Sequence, residues 1–318
     1  MKSLKLKLST RKIINNIGKS LDVQSGLFYH HNQMEWRLLT MKYLVVGKNG
    51  QLGKELVKLL NERKETFVAF DSRKMNITDR NRVVEVFEEE KPDVILDAAA
   101  YTAVDAAEDE GKELNWAVNA DGSKNLADAA NRIGAKLVFV STDYVFGGTK
   151  EGAYLETDPV GPKNEYGKAK LAGERAIEAS GAKYYIVRTS WVFGEFGKNF
   201  VFTMQNLGKR LDKLTVVNDQ KGRPTWTRTL AEFMMHLVAV DANQGIYNLS
   251  NDNEATWYEF AKEILRDEDV NVEPVYSDMF PTKAYRPANS VLDLNKAKST
   301  GFEIPTWQEA LASFKSEL

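Results

Sequence analysis

Tyr166-Gly167-Lys168-Ala169-Lys170 sets a phenol and an ammonium four residues apart. On a helix, residues i and i+4 share one face, so Lys170 would stand beside Tyr166. A free tyrosine titrates near pH ~10, and a neighbouring ammonium favours the phenolate and lowers that value. Such a phenol can exchange a proton with a substrate oxygen near neutral pH. The same lysine can hold a cofactor ribose. The Y-x-x-x-K spacing is common by itself and gains weight from what precedes it. Ser141-Thr142-Asp143-Tyr144-Val145-Phe146 directly follows the apolar run Leu137-Val138-Phe139-Val140. A hydroxyl at the carboxyl end of such a strand can hydrogen-bond a substrate carbonyl and polarise it for hydride attack.

A second signature reads Gly47-Lys48-Asn49-Gly50-Gln51-Leu52-Gly53, a G-x-x-G-x-x-G. Small residues let the backbone approach a pyrophosphate, which then lies at the positive end of the following helix. Gly53 would permit close packing of that helix against its strand. Context is the test of such a motif. Here it follows the apolar run Tyr43-Leu44-Val45-Val46 and opens a segment with Leu52, Leu56, Leu59 and Leu60 at helical spacing. Asp71 ends the next run, Phe67-Val68-Ala69-Phe70, where a carboxylate accepts hydrogen bonds from an adenosine ribose. Asp71 favours NADH, because a 2′-phosphate would meet its charge. Lys48, Arg73 and Lys74 could offset that charge, so NADH and NADPH both stay open.

The elements needed to position these groups are legible as an alternation. Strands are expected at Tyr43–Val46, Phe67–Phe70, Val94–Leu96, Leu137–Val140 and Tyr184–Val187, with helical segments between them. Thr78-Asp79 can cap the helix carrying Val83, Val84 and Phe87. Alternating strands and helices imply an α/β fold, a Rossmann-type doubly wound parallel sheet. Beyond about Trp191 the rhythm loosens. Gly222-Arg223-Pro224-Thr225-Trp226 and Tyr285-Arg286-Pro287-Ala288-Asn289-Ser290 read as loops of the kind that make substrate sites. The expected organisation is an extension over residues 1–40, a dinucleotide-binding core over 41–195, and a smaller C-terminal substrate-binding lobe over 196–318. Some segments of that lobe should return to the sheet. The extension is basic and acid-poor, and Met41 is a candidate functional start.

Composition narrows the chemistry. Of 318 residues, 43% are hydrophobic and 28% charged, and the formal net charge is -2, so no global field recruits nucleic acid or an acidic membrane. The absence of cysteine excludes disulfides, thiolate catalysis and thiolate metal sites. Only His30, His31 and His236 are present, so a histidine-rich metal centre cannot be built. No apolar run has membrane-spanning length, and the absence of a secretory pattern points to the cytoplasm.

From Met41 onward the chain resembles the extended short-chain dehydrogenase/reductases and, within them, the dTDP-4-dehydrorhamnose reductase family. The resemblance rests on Gly47 to Gly53, Ala98-Ala99-Ala100-Tyr101-Thr102-Ala103-Val104-Asp105, Ser141 to Phe146 and Tyr166 to Lys170. It continues through Arg188-Thr189-Ser190-Trp191-Val192-Phe193-Gly194, Asn218-Asp219-Gln220, Arg286-Pro287 and Asn289-Ser290. It implies that Thr142, Tyr166 and Lys170 form a catalytic trio. It places Gln51 and Leu52 along the pyrophosphate, with Gly47, Gly50 and Gly53 shaping the turn. Asp71 would take the adenosine ribose, with Asn76 and Ile77 near the adenine. Ala100, Tyr101 and Thr102 would line the cofactor. Thr142, Asp143 and Trp191 would contact the sugar nucleotide, and Asn199, Arg223 and Arg286 would reach its nucleotide or diphosphate.

The implied activity is NADPH- or NADH-dependent reduction of a dTDP-linked 4-keto-6-deoxy sugar. Magnesium and a homodimer enter through the resemblance alone, and no residue is assigned to a metal. Related 4,6-dehydratases carry Asp-Glu after the threonine, whereas here Asp143 is followed by Tyr144, which argues against dehydration. Two other readings stay open: a reductase for another nucleotide 4-keto-6-deoxy sugar, and a non-catalytic nucleotide-binding partner like the regulatory subunit of methionine adenosyltransferase. The intact trio favours an enzyme.

Overall fold

Strands covered on both faces need no polar alternation, and five short apolar runs build such a sheet, four of them largely buried and the edge run Thr66–Phe70 half-buried. They are β1 (Lys42–Val46), β2 (Thr66–Phe70), β3 (Val94–Asp97), β4 (Lys136–Thr142) and β5 (Lys183–Thr189). The computed structural model describes residues 41–318, so the basic lead lies outside the described residues. Between the strands run α1 (Gln51–Glu62), α2 (Arg80–Glu90), α3 (Lys112–Trp116), α4 (Ser123–Ile133) and α5 (Glu165–Ala179). The Asp79 side chain caps α2 by accepting from the Arg82 N–H, which satisfies one of the orphan donors of the first turn. Asn164 does the same for α5 through the Gly167 N–H.

Beyond β5 come β6 (Val192–Phe193), α6 (Phe200–Gly208), β7 (Lys213–Val217), β8 (Lys221–Gly222) and β9 (Thr225–Trp226). The chain continues through α7 (Thr227–Ala239), β10 (Gly245–Asn248), β11 (Ala255–Thr256), α8 (Trp257–Ile264) and β12 (Asn271–Val275). It closes with α9 (Asn295–Ser299) and α10 (Trp307–Glu317).

The central sheet has six strands in the order β10-β5-β4-β3-β1-β2, and every pairing is parallel. The order reverses at β1, with β2 on one side and β3 on the other. This is a doubly wound, Rossmann-type sheet, and the reversal opens a crevice at the carboxyl ends of β1 and β3. One face packs Val45, Leu96, Val138 and Val187 against Leu56 of α1 and Phe233 of α7. The other packs Val46, Ile95, Phe139 and Ile186 against Phe87 of α2, Leu126 of α4 and Ile177 of α5. Both α7 and β10 come from beyond residue 195.

A separate apolar core joins Phe193, Val201, Leu214, Phe260, Trp307 and Phe314. The segment expected as a loop at residues 222–226 contains parts of two short strands. β9 pairs with β6 and β8 with β11. Two-residue strands carry no periodic signal, so nothing in the sequence marks them. No helix among the described residues is long and apolar enough to cross a membrane.

Candidate active site

The glycine-rich turn leaves β1 with Gly47 at φ +78°. A Cβ there would stand 2.7 Å from the Ala99 backbone nitrogen, so only glycine lets the β1 and β3 turns meet. Gly53 is tighter, since its Cβ would stand 2.1 Å from the Gly47 carbonyl oxygen. Helix α1 starts at Gly50 with no side-chain cap and no acidic residue in its first turn. Its first-turn N–H groups and the positive end of the helix dipole are thus offered to an anion. A groove of about 560 Å³ opens at this point, lined by Gly47, Gly50, Asp71, Asn76, Ile77 and the Ala98–Tyr101 stretch. Leu52 is buried behind the turn, and Thr102 is exposed beyond Tyr101. The Gln51 amide reaches toward the Lys198 carbonyl, at 3.4 Å.

Asp71 lies just past β2. Its carboxylate accepts from the Asn49 amide at 3.0 Å, the Arg73 guanidinium at 3.1 Å, and the N–H groups of Arg73 and Lys74. The Arg73 guanidinium, first among these, holds the Asp71 carboxyl below its usual range. The Arg73 side chain is 84% exposed, so one end of the groove carries an anion and a solvent-exposed cation side by side.

On the other side of the crevice, Thr142 is the last residue of β4 and pairs in register with Thr189 of β5. Its hydroxyl donates to Asp143 at 2.9 Å and accepts from the Tyr144 N–H at 3.2 Å. Tyr166 lies in the first turn of α5. Its ring keeps an exposed portion, yet its crowded surroundings push the phenol above the ordinary value. The Asp143 charge adds to the rise, and the Thr142 hydroxyl opposes it.

This differs from the expectation that Lys170 lowers Tyr166. The Lys170 ammonium lies over the Phe139 ring, 4.0 Å from its centroid. Burial brings Lys170 down to about 8, against the charges of Asp97 and Glu174. Helical spacing sets the backbone positions of the pair correctly. The ammonium follows the carboxylates and the aromatic face beneath it.

Asp143 is buried, its Oδ2 has no hydrogen-bond partner, and burial raises its carboxyl to about 6. Trp191 adopts φ +48°. One face of its indole stacks on Trp257 with ring centroids 3.6 Å apart and planes 11° from parallel. Gly222 closes on the other face, where a Cβ would stand 2.6 Å from an indole carbon. The indole is thus held between α8 and β8 and remains half-buried.

The three polar candidates farther along the chain are already engaged. Asn199 caps α6 and donates to the Gly194 carbonyl at 2.8 Å, with a 3.4 Å contact to Gln51. Arg223 pairs with Asp252 at 2.7 Å. Arg286 pairs with Asp105 at 2.8 Å and lies over Tyr144. Arg286 therefore stays beside the β4 turn. The Arg223 guanidinium is committed to a carboxylate.

The family model described as the RmlD substrate binding domain matches residues 41–318, the whole of the described chain. The chain belongs to this family. It is 41% identical over 292 residues to a dTDP-4-dehydrorhamnose reductase of Aggregatibacter actinomycetemcomitans, covering 86% of this chain and 98% of that relative. Its fold is similar to the crystal structure of a dTDP-4-dehydrorhamnose reductase from Clostridium acetobutylicum. The TM-score is 0.84 and the identity 42%, with 87% of this chain and 99% of that chain covered. A Bacillus anthracis dTDP-4-dehydrorhamnose reductase in complex with NADP gives a TM-score of 0.84 at 40% identity, covering 88% and 100%.

Sequence reading missed two carboxylates of this RmlD-family chain. Asp97 and Glu174 are each 1% exposed and both act on Lys170. Asp97 reads as the polar end of an apolar strand, and Glu174 as an ordinary helix residue. Glu174 stands four residues after Lys170 on α5, an i,i+4 spacing the sequence does carry, whereas only the register of the sheet brings Asp97 beside Phe139 and the lysine above it. Among the described residues, no group of three or more His, Asp or Glu side chains is placed to hold a metal ion, so the magnesium brought in by the resemblance finds no such site.

Proposed function

We propose that the chain catalyses the NADPH- or NADH-dependent reduction of dTDP-4-dehydro-β-L-rhamnose to dTDP-L-rhamnose, as a cytoplasmic enzyme. What supports this reading is the Thr142 hydroxyl at the carboxyl end of β4 acting on the Tyr166 phenol, with Lys170 one turn farther along α5, beside a groove lined by the glycine-rich turn and Asp71. Membership of the RmlD family narrows the substrate class to dTDP-sugars. The homodimer implied by the resemblance belongs to the same reading.

The residues present fit a nicotinamide dinucleotide. The Gly47–Gly53 turn and the open start of α1 suit a pyrophosphate, and Asp71 suits ribose hydroxyls. Arg73 can leave Asp71 to meet a 2′-phosphate, which supports acceptance of both cofactors. Asn76 and Ile77 line the adenine end, and Ala100, Tyr101 and Thr102 run from it toward the catalytic trio. When bound, the reduced nicotinamide supplies the hydride that the sugar C4 accepts. The separate core around Phe193 and Phe260 serves as the substrate lobe, with Asp143, Trp191 and Arg286 facing the sugar nucleotide.

The chain's own residues handle the oxygen and the proton. With its pKa raised, Tyr166 is a protonated phenol at neutral pH and donates to the C4 oxygen as charge builds there. Thr142 holds that oxygen in line. The Lys170 ammonium, one helical turn farther along α5, can hold the nicotinamide ribose. General acid catalysis of this kind contributes about 10²–10⁴-fold, and positioning supplies much of the rest.

The test follows absorbance of NADH and of NADPH with dTDP-4-dehydro-β-L-rhamnose generated in the same tube. Tyr166→Phe should bind cofactor normally and lose at least about 10²-fold in turnover. Near-normal turnover by that variant would remove Tyr166 from the reaction. Cofactor binding with no oxidation by the unaltered protein would point to another keto sugar or to a non-catalytic role.

A further inference from the structure

Asp97 closes β3 in direct register with Phe139 of β4, so the two side chains leave the sheet on the same face. Helix α5 covers that face, and its Lys170 ammonium rests on the Phe139 ring. Two carboxylates act on this ammonium, Asp97 from the sheet and Glu174 from one turn farther along α5. Glu174 is already committed, since both its oxygens receive the Arg188 guanidinium, at 2.9 and 2.7 Å. Asp97 is not. Its Oδ1 accepts the Ala99 N–H at 3.0 Å, while its Oδ2 is buried without a hydrogen-bond partner. An orphaned carboxylate oxygen in a dry site is costly unless a positive charge compensates it. Lys170 is the one cation among the groups that act on Asp97.

We propose that Asp97 is a positioning residue that keeps Lys170 charged and aimed into the crevice, so that the ammonium is available to the cofactor ribose. The proposal rests on the assignment of Lys170 to the reaction given above. It explains why an ammonium can remain charged although it lies almost wholly out of water. It also explains why a carboxylate stands at the end of a strand whose other residues are apolar. Burial raises Asp97 to about 6 even with Lys170, the main opposing influence, holding it down, so Asp97 is ionised at neutral pH and can serve the lysine there.

The test is Asp97→Asn, which keeps the size of the side chain and the acceptor for the Ala99 N–H. Binding of NADPH and NADH is followed by fluorescence from pH 6 to pH 9, with no need for turnover. A neighbouring opposite charge is worth about one pK unit or more. The variant should therefore match the unaltered protein at pH 6, where Lys170 is charged in both. It should bind roughly threefold more weakly at pH 7.5, with its alkaline loss of affinity beginning about one unit lower. A purely structural effect would weaken binding equally at every pH, and that result would overturn the proposal, as would an unchanged profile. In a Lys170→Met background the Asp97→Asn effect should vanish.

If Asp97→Asn does not fold, the unaltered protein carries the test. Lysine labelled with ¹³C at Cε should show, at Lys170, a second inflection near pH 6 as Asp97 takes its proton, and its absence would overturn the proposal. Failure of the catalytic reading would appear separately, as normal turnover in Tyr166→Phe.

Discussion

Gly53→Ala sets two quantities against each other. In an open helix position alanine is favoured over glycine by about 1 kcal/mol. Gly53 is buried in the first turn of α1, and the new Cβ would stand 2.1 Å from the Gly47 oxygen and 2.8 Å from the Gly47 carbon and the Lys48 Cα. Carbon contacts become attractive only near ~3.5 Å, so the gap is short by more than ~1 Å. All three obstacles are backbone atoms and cannot rotate away. Overpacking of this kind costs about 1–3 kcal/mol, and the upper end applies when nothing flexible can yield. After the propensity gain, a net loss of about 2 kcal/mol remains, or roughly 3 °C in Tm at this chain length.

Cofactor binding should suffer more. The start of α1 must retreat from the turn, carrying with it the N–H groups that would face the pyrophosphate. Losing two charge-assisted hydrogen bonds at about 1.5–3 kcal/mol each weakens binding by roughly 10²–10⁴-fold. The assay pairs thermal melts with fluorescence titration of NADPH. Gly161→Ala is the control, because no atom lies within 4 Å of a Cβ there. A Gly53→Ala protein that melts no lower than the unaltered chain and binds NADPH within about threefold of it would refute the packing argument and the placement of the pyrophosphate together.

Glu174→Gln should cost about 3–5 kcal/mol, because it strands the Arg188 guanidinium in a dry interior; denaturant melts of that variant, and of Arg188→Met with Glu174→Leu, test whether the apolar pair recovers most of the loss. Glu165 is held down to about 2, first by Lys168 and then by Trp116 and Lys112. A depressed carboxyl contributes stability that is full above its unfolded pKa and lost as pH falls through the folded one. Glu165→Gln should therefore lower Tm at pH 7, with the difference closing between about pH 4.5 and about pH 2; a difference that persists undiminished to pH 2 would contradict the assignment.

Five of the six sheet strands were legible because they centre on uninterrupted apolar runs, with leucines at helical spacing in α1; the sixth, Gly245–Asn248, has only Ile246 and Tyr247 between its ends and was expected only as a returning segment. The turn at Gly47 and the hydroxyl ending β4 were legible for a related reason: both follow immediately from a strand end, so local sequence fixes their place. Long-range pairing was not. Arg223 and Arg286 look free in the sequence, and their partners Asp252 and Asp105 become neighbours only once distant loops meet. Lys170 shows the same limit. Its i,i+4 relation to Tyr166 holds for the backbone, but Phe139 and Asp97, on two other strands, decide where the ammonium rests. The clamp on Trp191 needs a glycine from β8 and a tryptophan from α8, and no local pattern announces that meeting.

The position of β10 bears on how the chain comes to fold. Five of the six sheet strands are complete by Thr189, but the last, Gly245–Asn248, emerges only after α6 to α7 have been made. Until it docks, Tyr185 to Arg188 form an open edge on β5, a template for pairing with another chain. Closing that edge needs a contact across some sixty residues, the kind of step that slows folding. Asn248 then locks it, donating its N–H to Glu156 and its side-chain amide to the Tyr154 carbonyl. During synthesis the five-stranded part of the sheet is thus left with an adhesive flank while the remainder is made. A chain cut between β5 and β10 would yield a fragment prone to self-association through that edge.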